Sequence, residues 1–321
     1  MGGDFGIPVT VPAACAMVQD NPDLSIKLVG AFDSIENALG PEKSHPRLEI
    51  VRSTEVVGMD ESAVSALKNK KDSSLRISID LVKAGKANAC VSAGNTGALM
   101  ATARFVLKTL PGIDRPAIVS ALPRANGHVH ILDLGANVES LPEHLLQFGM
   151  MGASLVRTLE NNPNPTVGLL NIGSEEVKGN VTVKSAYKLF QSSPINFIGY
   201  VEGDDIFSGE VDVIVCDGFE GNIALKASEG VADMFVLEIQ LRGQLIATPV
   251  KTDIEKVDIG HRVQQRLQSC IATLFDDLNR FRAGTAQNPP STVKAPAAVA
   301  TGRSVSSSIA TARTKATLRV I

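Results

Sequence analysis

The side chains best suited to chemistry lie in glycine-containing turns that directly follow short apolar runs. The four segments are 91–98 (VSAGNTGA), 132–138 (LDLGANV), 170–180 (LNIGSEEVKGN) and 215–222 (VCDGFEGN). In an open parallel sheet, such strand-to-helix turns form a ligand crevice at the carboxyl ends of the strands. Glycine lets the backbone approach an anion closely, and the following helix N-terminus directs free N–H groups at it. The pattern predicts an α/β enzyme that handles phosphate.

Two of these turns hold the residues that we expect to bind phosphate. In the first turn, glycines permit tight backbone geometry, and hydroxyl and amide side chains add donors. In the third turn, a lysine supplies a point charge suited to phosphate, and small residues complete the cradle. The candidates are Ser92, Gly94, Asn95, Thr96 and Gly97 in the first turn, and Gly173, Ser174, Lys178, Gly179 and Asn180 in the third. The alternatives are an ordinary strand–helix connection for the first turn and a solvated charged turn for the third.

Asp217, Asn222 and Lys226 are the candidate catalytic residues. Asp217 ends a buried apolar run, where a carboxylate is costly unless it is paired or used. It is therefore suited to orient an attacking phosphate or to take a proton. Asn222 can hydrogen-bond an anion, and Lys226 lies one turn further along the same helix face. The alternative for Asp217 is a helix N-cap.

Five further residues are expected to shape the crevice rather than to react. They are Asp4, Asp133, Asn137, Glu175 and Glu176. For the two glutamates, the alternative is a structural role in which they pair with the nearby lysine or with a helix N-terminus.

Histidines and cysteines give weaker signals. His128 and His130 lie two apart on a predicted strand, and therefore on one face of it. Two such imidazoles suggest a metal site, but no cysteine or carboxylate set completes it in the sequence. A surface or edge position is favoured, and no metal is predicted. The four cysteines are widely spaced and form no Cys-x-x-Cys pair, so we interpret them as reduced thiols that are mostly buried.

Alternating strand and helix patterns place the turns in one sheet. Apolar runs predict strands at 24–29, 48–52, 87–92, 117–122, 129–134, 167–172, 195–201 and 211–216, and helical spacing predicts helices at 73–83, 98–110, 141–159, 182–191 and 222–235. Such alternation is typical of βαβ units. The predicted architecture is a three-layer α/β/α sandwich with a Rossmann-like, mostly parallel sheet.

Composition excludes several classes of protein. A hydrophobic content of 44% and a mean hydropathy of +0.11 are ample for a buried core. The net charge of -3, with no Trp and only 2 Tyr, argues against nucleic-acid binding. The dinucleotide fingerprint Gly-x-Gly-x-x-Gly is missing, and no cofactor is implied. With neither a signal peptide nor an apolar stretch of about 20 residues, a cytoplasmic protein with at most peripheral membrane contact is expected.

The same turns resemble the bacterial phosphate acyltransferase family of phospholipid synthesis, the PlsX family. The shared motifs are MGGD at 1–4, SAGNTGA at 92–98, DLGANV at 133–138, NIGSEEVKG at 171–179 and DGFEGN at 217–222. The match runs from Met1 to about residue 235. It implies a fold like that of isocitrate and isopropylmalate dehydrogenases or of phosphotransacetylase.

The resemblance also implies an activity. It is the transfer of a long-chain acyl group from acyl carrier protein to inorganic phosphate, without a cofactor. The acyl phosphate would be used by a membrane glycerol-3-phosphate acyltransferase, and family members are homodimers that touch the membrane. Two other interpretations stay open: a short-chain phosphate acetyl- or butyryltransferase that uses coenzyme A, and an inactive, truncated protein that only binds acyl carrier protein.

Both ends of the chain depart from the family pattern. The sequence opens on the MGGD turn without the strand that precedes it in the family, so we expect one strand of the sheet to be missing. Beyond about residue 235 the resemblance stops. We expect an α/β acyltransferase domain at 1–235, a divergent helical segment at 236–282 and, from its composition, a disordered tail at 283–321.

Overall fold

The computed structural model describes residues 1–3, 5–124, 127–246 and 298–301. Asp4, which we expect to shape the crevice, lies outside the described residues. So do most of the divergent segment and most of the tail. Within the tail, Ala298–Thr301 forms a strand that the sequence analysis does not predict.

Five strands form the larger sheet, in the order β4-β5-β8-β6-β7. The strands are β4 (Val119–Pro123), β5 (His128–Leu132), β6 (Val167–Leu170), β7 (Phe197–Val201) and β8 (Val213–Val215). β4 pairs with β5 in antiparallel fashion, and the remaining pairs are parallel. The carboxyl ends of β5, β8, β6 and β7 therefore lie at one edge of the sheet, as the crevice model requires.

Helices cover this sheet on both faces. They are α6 (Pro142–Leu159), α7 (Val181–Gln191) and α8 (Gly218–Ile246). On the central strand β8, Val213 and Val215 pack into the cluster that contains Phe148 of α6, whereas Ile214 packs with Leu225 of α8 on the other face. Successive side chains of a strand point to opposite faces, so a strand buried throughout requires two covering layers. The predicted α/β/α sandwich is confirmed.

Two parallel strand pairs precede and flank this sheet. They are β1 (Ile26–Gly30) with β2 (Leu48–Arg52), and β3 (Ala89–Ser92) with β9 (Ala298–Thr301). Around them lie α1 (Ile7–Asp20), α2 (Phe32–Leu39), α3 (Ala63–Asn69), α4 (Ser74–Lys83) and α5 (Thr96–Leu107). A cavity of about 590 Å³ is lined by the consecutive residues 24–29, along β1, and 86–93, along β3. Consecutive residues of a strand point to opposite faces of the sheet, so a cavity lined by all of them lies along the edge of the strand. The edges of β1 and β3 therefore face this cavity.

The histidines of β5 depart from the expectation of a surface or edge position. β5 lies between β4 and β8, so it is an interior strand. His130 is only 5% exposed, and His128 is half-buried. Side chains alternate between the two faces of a strand, and His130 falls on the face of β5 that the end of α6 covers. This packing is the reason for its burial.

Candidate active site

Three of the four predicted turns meet at the carboxyl edge of the larger sheet. The turns that follow β5, β6 and β8 surround a cavity of about 580 Å³. Its polar lining comes from Ser140, Asn171, Asn180, Asp217 and Glu220, and its apolar lining from Leu145, Leu169, Val183 and Phe219. The cavity therefore combines groups that can bind an anion with a surface that can contact a hydrocarbon chain.

Asp217 is held in the wall of this cavity by backbone donors. Its Oδ2 accepts a hydrogen bond from the Ser140 N–H at 2.7 Å, and its Oδ1 accepts one from the Phe219 N–H at 2.8 Å. The second bond lies in the first turn of α8, so Asp217 does cap that helix. A cap and a ligand contact are compatible, because each carboxylate oxygen can accept a further bond.

The turn after β8 packs tightly against the turn after β5. The Gly218 N–H donates to the carbonyl oxygen of Asn137 at 2.9 Å. A Cβ at residue 218 would lie 2.3 Å from that oxygen, a distance that no side chain tolerates. This glycine therefore allows the close approach of the two turns, which fixes Asp217 beside Ser140.

Asp133 lies inside the turn after β5, where it organises the backbone. It is fully buried, and its two oxygens accept hydrogen bonds from the backbone N–H groups of Ile118, Ala136 and Asn137 and from the Asn137 side chain, at 2.7 to 3.0 Å. Burial raises the pKa of Asp133, and the four donors oppose that shift. Asp133 holds the turn together and is screened from any ligand.

Substituting Asp133 with asparagine is expected to lower the free energy of unfolding by about 2–4 kcal/mol. In the wild type, the N–H groups donate to carboxylate oxygens. In the variant, an amide NH₂ group replaces one of these oxygens and cannot accept a hydrogen bond. Each buried donor left without an acceptor costs about 1–3 kcal/mol. Urea unfolding followed by circular dichroism measures the change. A variant as stable as the wild type would show that this network does not organise the turn.

The turn after β6 is organised by Asn171, which the sequence analysis does not single out. The Asn171 side chain is buried and donates to the carbonyl oxygen of Gly173 at 3.0 Å. Gly179 has a φ of +89°, and a Cβ there would lie 2.4 Å from Asn171 Oδ1. Asn180 then caps α7, because its Oδ1 accepts from the Val183 N–H at 2.8 Å. Gly179 and Asn180 line the cavity, and phosphate binding by them stays a prediction.

Lys178 lies in this turn, and its side chain is exposed. Within the part of the chain that the structure describes, its ammonium group has no ion-pair partner, and neither Glu175 nor Glu176 pairs with it. The next two residues line the cavity, so the flexible lysine stem can reach an anion bound there. Ser174 is also exposed, and its N–H donates to a carboxylate oxygen of Glu202 at 3.1 Å.

The first turn, 92–97, lies elsewhere. None of its residues lines the cavity beside Asp217, whereas Ser92 lines the cavity between β1 and β3. Asn95 caps α5, and its amide nitrogen donates to the carbonyl oxygens of Gly58, Met59 and Glu61 at 2.8 to 3.1 Å. Its side-chain donors are therefore occupied within the protein, contrary to the expectation that they are available to phosphate. The Thr96 hydroxyl is buried without a hydrogen-bond partner, and phosphate binding at this turn stays a prediction.

Asn222 and Lys226 lie on α8 beyond the cavity wall. The Asn222 side chain lies against Gly135, in the turn after β5, where a Cβ would be 3.5 Å from the amide group. Lys226 is exposed and forms an ion pair with Glu229 rather than extending toward Asn222. The structure thus brings Asp217 to the cavity but not these two side chains.

Two further groups in the cavity wall, Ser140 and Glu220, are not predicted as site residues by the sequence analysis. The Ser140 hydroxyl is buried without a hydrogen-bond partner and lies beside Asp217. Glu220 lies one helical turn from Asp217. Burial, together with the charge of Asp217 and a hydrogen bond to it, raises the pKa of Glu220. A carboxyl group that is more readily protonated and a free hydroxyl thus face the space where a ligand would bind.

The shift at Glu220 predicts a pH dependence of stability. Because its pKa in the folded protein exceeds the ordinary 4.5, the folded state keeps a proton that the unfolded chain has released. The stability from this group is complete below about pH 4.5 and is lost as pH rises through the raised pKa. We therefore expect Glu220→Gln to gain stability relative to the wild type as pH rises from 4.5 to neutral. Denaturant unfolding across this range measures it, and a difference independent of pH would contradict it.

The described cysteines are poorly suited to act as nucleophiles. Cys216 is buried beneath the turn after β8, and burial raises its pKa. Burial also raises the pKa of Cys90 to about 12. Cys15 is half-buried, and all three are free thiols. Two of these three cysteines are buried, as the sequence analysis expects for most of them, and the fourth, Cys270, lies outside the described residues.

Solved structures share this architecture. A phosphotransacetylase from Streptococcus pyogenes superposes with a TM-score of 0.55 at 18% identity, covering 70% of this chain and 79% of that one. The EutD phosphotransacetylase from Staphylococcus aureus gives a TM-score of 0.52 at 16% identity, covering 71% and 80%. These likenesses establish a phosphotransacetylase-like fold, one of the two that the family resemblance implies.

Sequence comparison then defines the family. A family model described as "Fatty acid synthesis protein" matches residues 1–247, and the chain belongs to this family. A phosphate acyltransferase from Legionella pneumophila strain Corby is 58% identical over 242 residues, which cover 74% of this chain and 70% of that protein. One from Chromobacterium violaceum is 58% identical over 239 residues, covering 74% and 69%. The resemblance to the phosphate acyltransferase family is confirmed.

Proposed function

We propose that this protein transfers a long-chain acyl group from the thioester of an acyl carrier protein to inorganic phosphate. Its family makes it an acyltransferase, and its relatives are named phosphate acyltransferases. The observation that carries the proposal is the convergence of three turns on one cavity, with Asp217 fixed in its wall and Lys178 in the adjoining turn.

The reaction needs no covalent enzyme intermediate. A phosphate oxygen attacks the thioester carbonyl carbon, a C–O bond forms, and the C–S bond breaks. The products are an acyl phosphate and the free thiol of the carrier, which takes up one proton. Because the thioester is already activated, the protein has to position a dianion, exclude water and stabilise the oxyanion.

The described residues suit these tasks. Lys178 supplies the positive charge for phosphate, and the backbone of Gly179 and Asn180 at the start of α7 directs N–H groups toward it. The monohydrogen phosphate dianion keeps one P–OH group, which can donate to Asp217 and so fix the attacking oxygen. The Ser140 hydroxyl, buried and without a partner, can donate to the carbonyl oxygen as it gains charge.

Apolar residues at the cavity and its mouth support a long acyl chain. Ile172 and Phe219 line the cavity yet are 79% and 56% exposed, and Val181 in the first turn of α7 is 81% exposed. Large apolar side chains this exposed beside a polar cavity are typical of a ligand-binding surface. An acyl chain laid across them would bury this surface, with a gain of about 0.8 kcal/mol for each buried methylene.

The donor and the product can be tested with a substrate panel. Purified full-length protein is incubated with phosphate and either palmitoyl-acyl carrier protein or acetyl-coenzyme A, and acyl phosphate is trapped with hydroxylamine. We expect phosphate-dependent hydroxamate formation from the long-chain carrier substrate and little from acetyl-coenzyme A. The reverse preference would identify a short-chain phosphate acetyltransferase, and no product from either donor would refute the proposal.

No described helix is long and apolar enough to cross a membrane. We propose that the acyl phosphate, an activated acyl donor, is consumed by a membrane acyltransferase that acts on glycerol 3-phosphate. Homodimer formation and peripheral contact with the membrane stay predictions from the family resemblance.

A further inference from the structure

Three potential metal ligands meet at the end of the sheet opposite the proposed active site. His128 Nε2 lies 2.7 Å from Glu160 Oε1, and His130 Nδ1 lies 3.4 Å from the same oxygen. The three ligand atoms lie within 4.8 Å of one another. Glu160 thus supplies the carboxylate that the sequence does not reveal, from 30 residues further along the chain.

The fold explains why these residues meet. The two histidines share one face of β5 near its start. Helix α6 begins after the turn at the other end of β5, runs back along the sheet and ends at Leu159, so Glu160 arrives at the start of the strand. Asp133 follows His128 by five positions and His130 by three, about 16 Å and 10 Å at the rise of an extended strand.

The cluster contains a buried nitrogen without a hydrogen bond. The His130 side chain is 7% exposed, and its Nδ1 has no hydrogen-bond partner. Glu160 Oε1, 3.4 Å from that nitrogen, is also buried and contacts His128 Nε2 at 2.7 Å. A buried imidazole nitrogen and a carboxylate oxygen that lie 3.4 Å apart without a hydrogen bond between them leave a position that a shared cation can fill.

We propose that His128, His130 and Glu160 form a binding site for a divalent transition-metal ion of the zinc type. Two imidazole nitrogens and one carboxylate oxygen form a ligand set that zinc accepts at about 2.0–2.2 Å, with water in a fourth position. Tetrahedral ligands at that distance lie about 3.3 Å apart, which the 3.4 Å separation already matches. The 2.7 Å separation must open by about half an ångström, and His128 can move because its side chain is 26% exposed.

The ligand types and the surrounding charge both favour such an ion. Calcium and magnesium prefer oxygen ligands, so two imidazoles select against them. Asp212 and Arg124 lie nearby, and both contribute to the electrostatics of His130. Arg124 is held by Asp212 Oδ1 at 3.1 Å. Two carboxyl groups, of Glu160 and Asp212, and one guanidinium group, of Arg124, therefore surround this place, which favours a divalent cation.

The role of this ion is to tie the start of β5 to the end of α6. Its ligands lie about 10–16 Å along the strand from the turn that holds Asp133, and none of them lines the cavity, so the ion touches neither the cavity nor Asp217. Metal binding is therefore expected to raise stability without entering the acyl-transfer reaction, since an ion that binds the folded state stabilises it by mass action.

The test uses full-length protein stripped with EDTA, dialysed and titrated with Zn²⁺ in competition with a chromogenic chelator. The wild type is expected to bind one equivalent and to show a higher melting temperature with Zn²⁺. Glu160→Gln and His128→Gln should each weaken binding by at least about 10–100-fold, the loss typical of removing even an outer-shell partner. His45→Gln, a histidine outside the cluster, is the matched control and should bind as the wild type does.

His128→Gln keeps a side-chain donor for Glu160 at a half-exposed position, so it tests the site even if Glu160→Gln fails to fold. Co²⁺ substitution adds a spectroscopic readout, because d–d bands in the visible region report nitrogen and oxygen ligation. Wild-type protein that binds no Zn²⁺ below about 10 μM overturns the proposal. Binding that both cluster variants retain also overturns it, because the ion then lies elsewhere.

Discussion

Asp217→Asn is expected to lower kcat for acyl transfer to phosphate by about 100-fold or more. The carboxylate is fixed between two backbone donors in the cavity wall, and the proposed role for it is to accept from the attacking phosphate and orient it. Losing one preorganised polar group at a reacting centre typically costs about 100- to 1,000-fold in rate. Steady-state kinetics with saturating acyl carrier thioester, varied phosphate and a temperature well below the melting transition give the value.

The same substitution will also affect stability, since one backbone N–H would face the new amide nitrogen. The expected cost is about 1–3 kcal/mol in the free energy of unfolding. Ser62→Ala is the matched control, because Ser62 caps α3 in the same manner but lies outside the cavity. It should lose stability with little change in kcat. Full activity in folded Asp217→Asn would leave this residue as a helix cap only.

Lys178→Ala is expected to lower kcat/KM for phosphate by about 10–150-fold. Loss of one charge-assisted contact is worth about 1.5–3 kcal/mol. Among the described residues, none forms an ion pair with this ammonium group. The Michaelis constant for the acyl carrier substrate should change far less. Initial rates measured with each substrate varied in turn separate the two effects.

Lys188→Ala tests whether any lysine near α7 would have the same effect. Lys188 is exposed in the last turn of that helix, away from the cavity, so its removal changes the net charge equally. It should leave the phosphate dependence intact. Equal losses in both variants would mean that only the overall charge matters, and no loss in either would remove Lys178 from the site.

Much of the fold follows from local pattern. Apolar runs that end in glycine turns predict the strands of the larger sheet, and spacing of three and four predicts α6 and α7, since both signals depend on periodicity alone. Asp217 and Asp133 could be found because each directly follows a buried strand. Asn171 carries the same signal, directly after β6, and it would have been found by applying that rule to every strand.

Other parts of the site depend on contacts between distant segments. Asn95 has the right side chain for an anion site, but the carbonyl oxygens of 58–61 occupy its donors. Ser140 gains its place only because Asp217, 77 residues later, accepts from its N–H. Glu160 reaches His130 because α6 has the length to return it to the start of β5. No local pattern in the sequence encodes these distances.

The central claim is that phosphate itself attacks the thioester in the cavity beside Asp217. Mass spectrometry of the acyl phosphate formed from palmitoyl-acyl carrier protein and phosphate labelled with ¹⁸O at all four oxygens tests it most directly. The account predicts an acyl phosphate that keeps all four labelled oxygens, one of them bridging to the carbonyl carbon. Rapid formation with the wild type and slow formation with Asp217→Asn would place the reaction at this cavity. Release of free fatty acid at a rate independent of phosphate, without labelled acyl phosphate, would contradict the account.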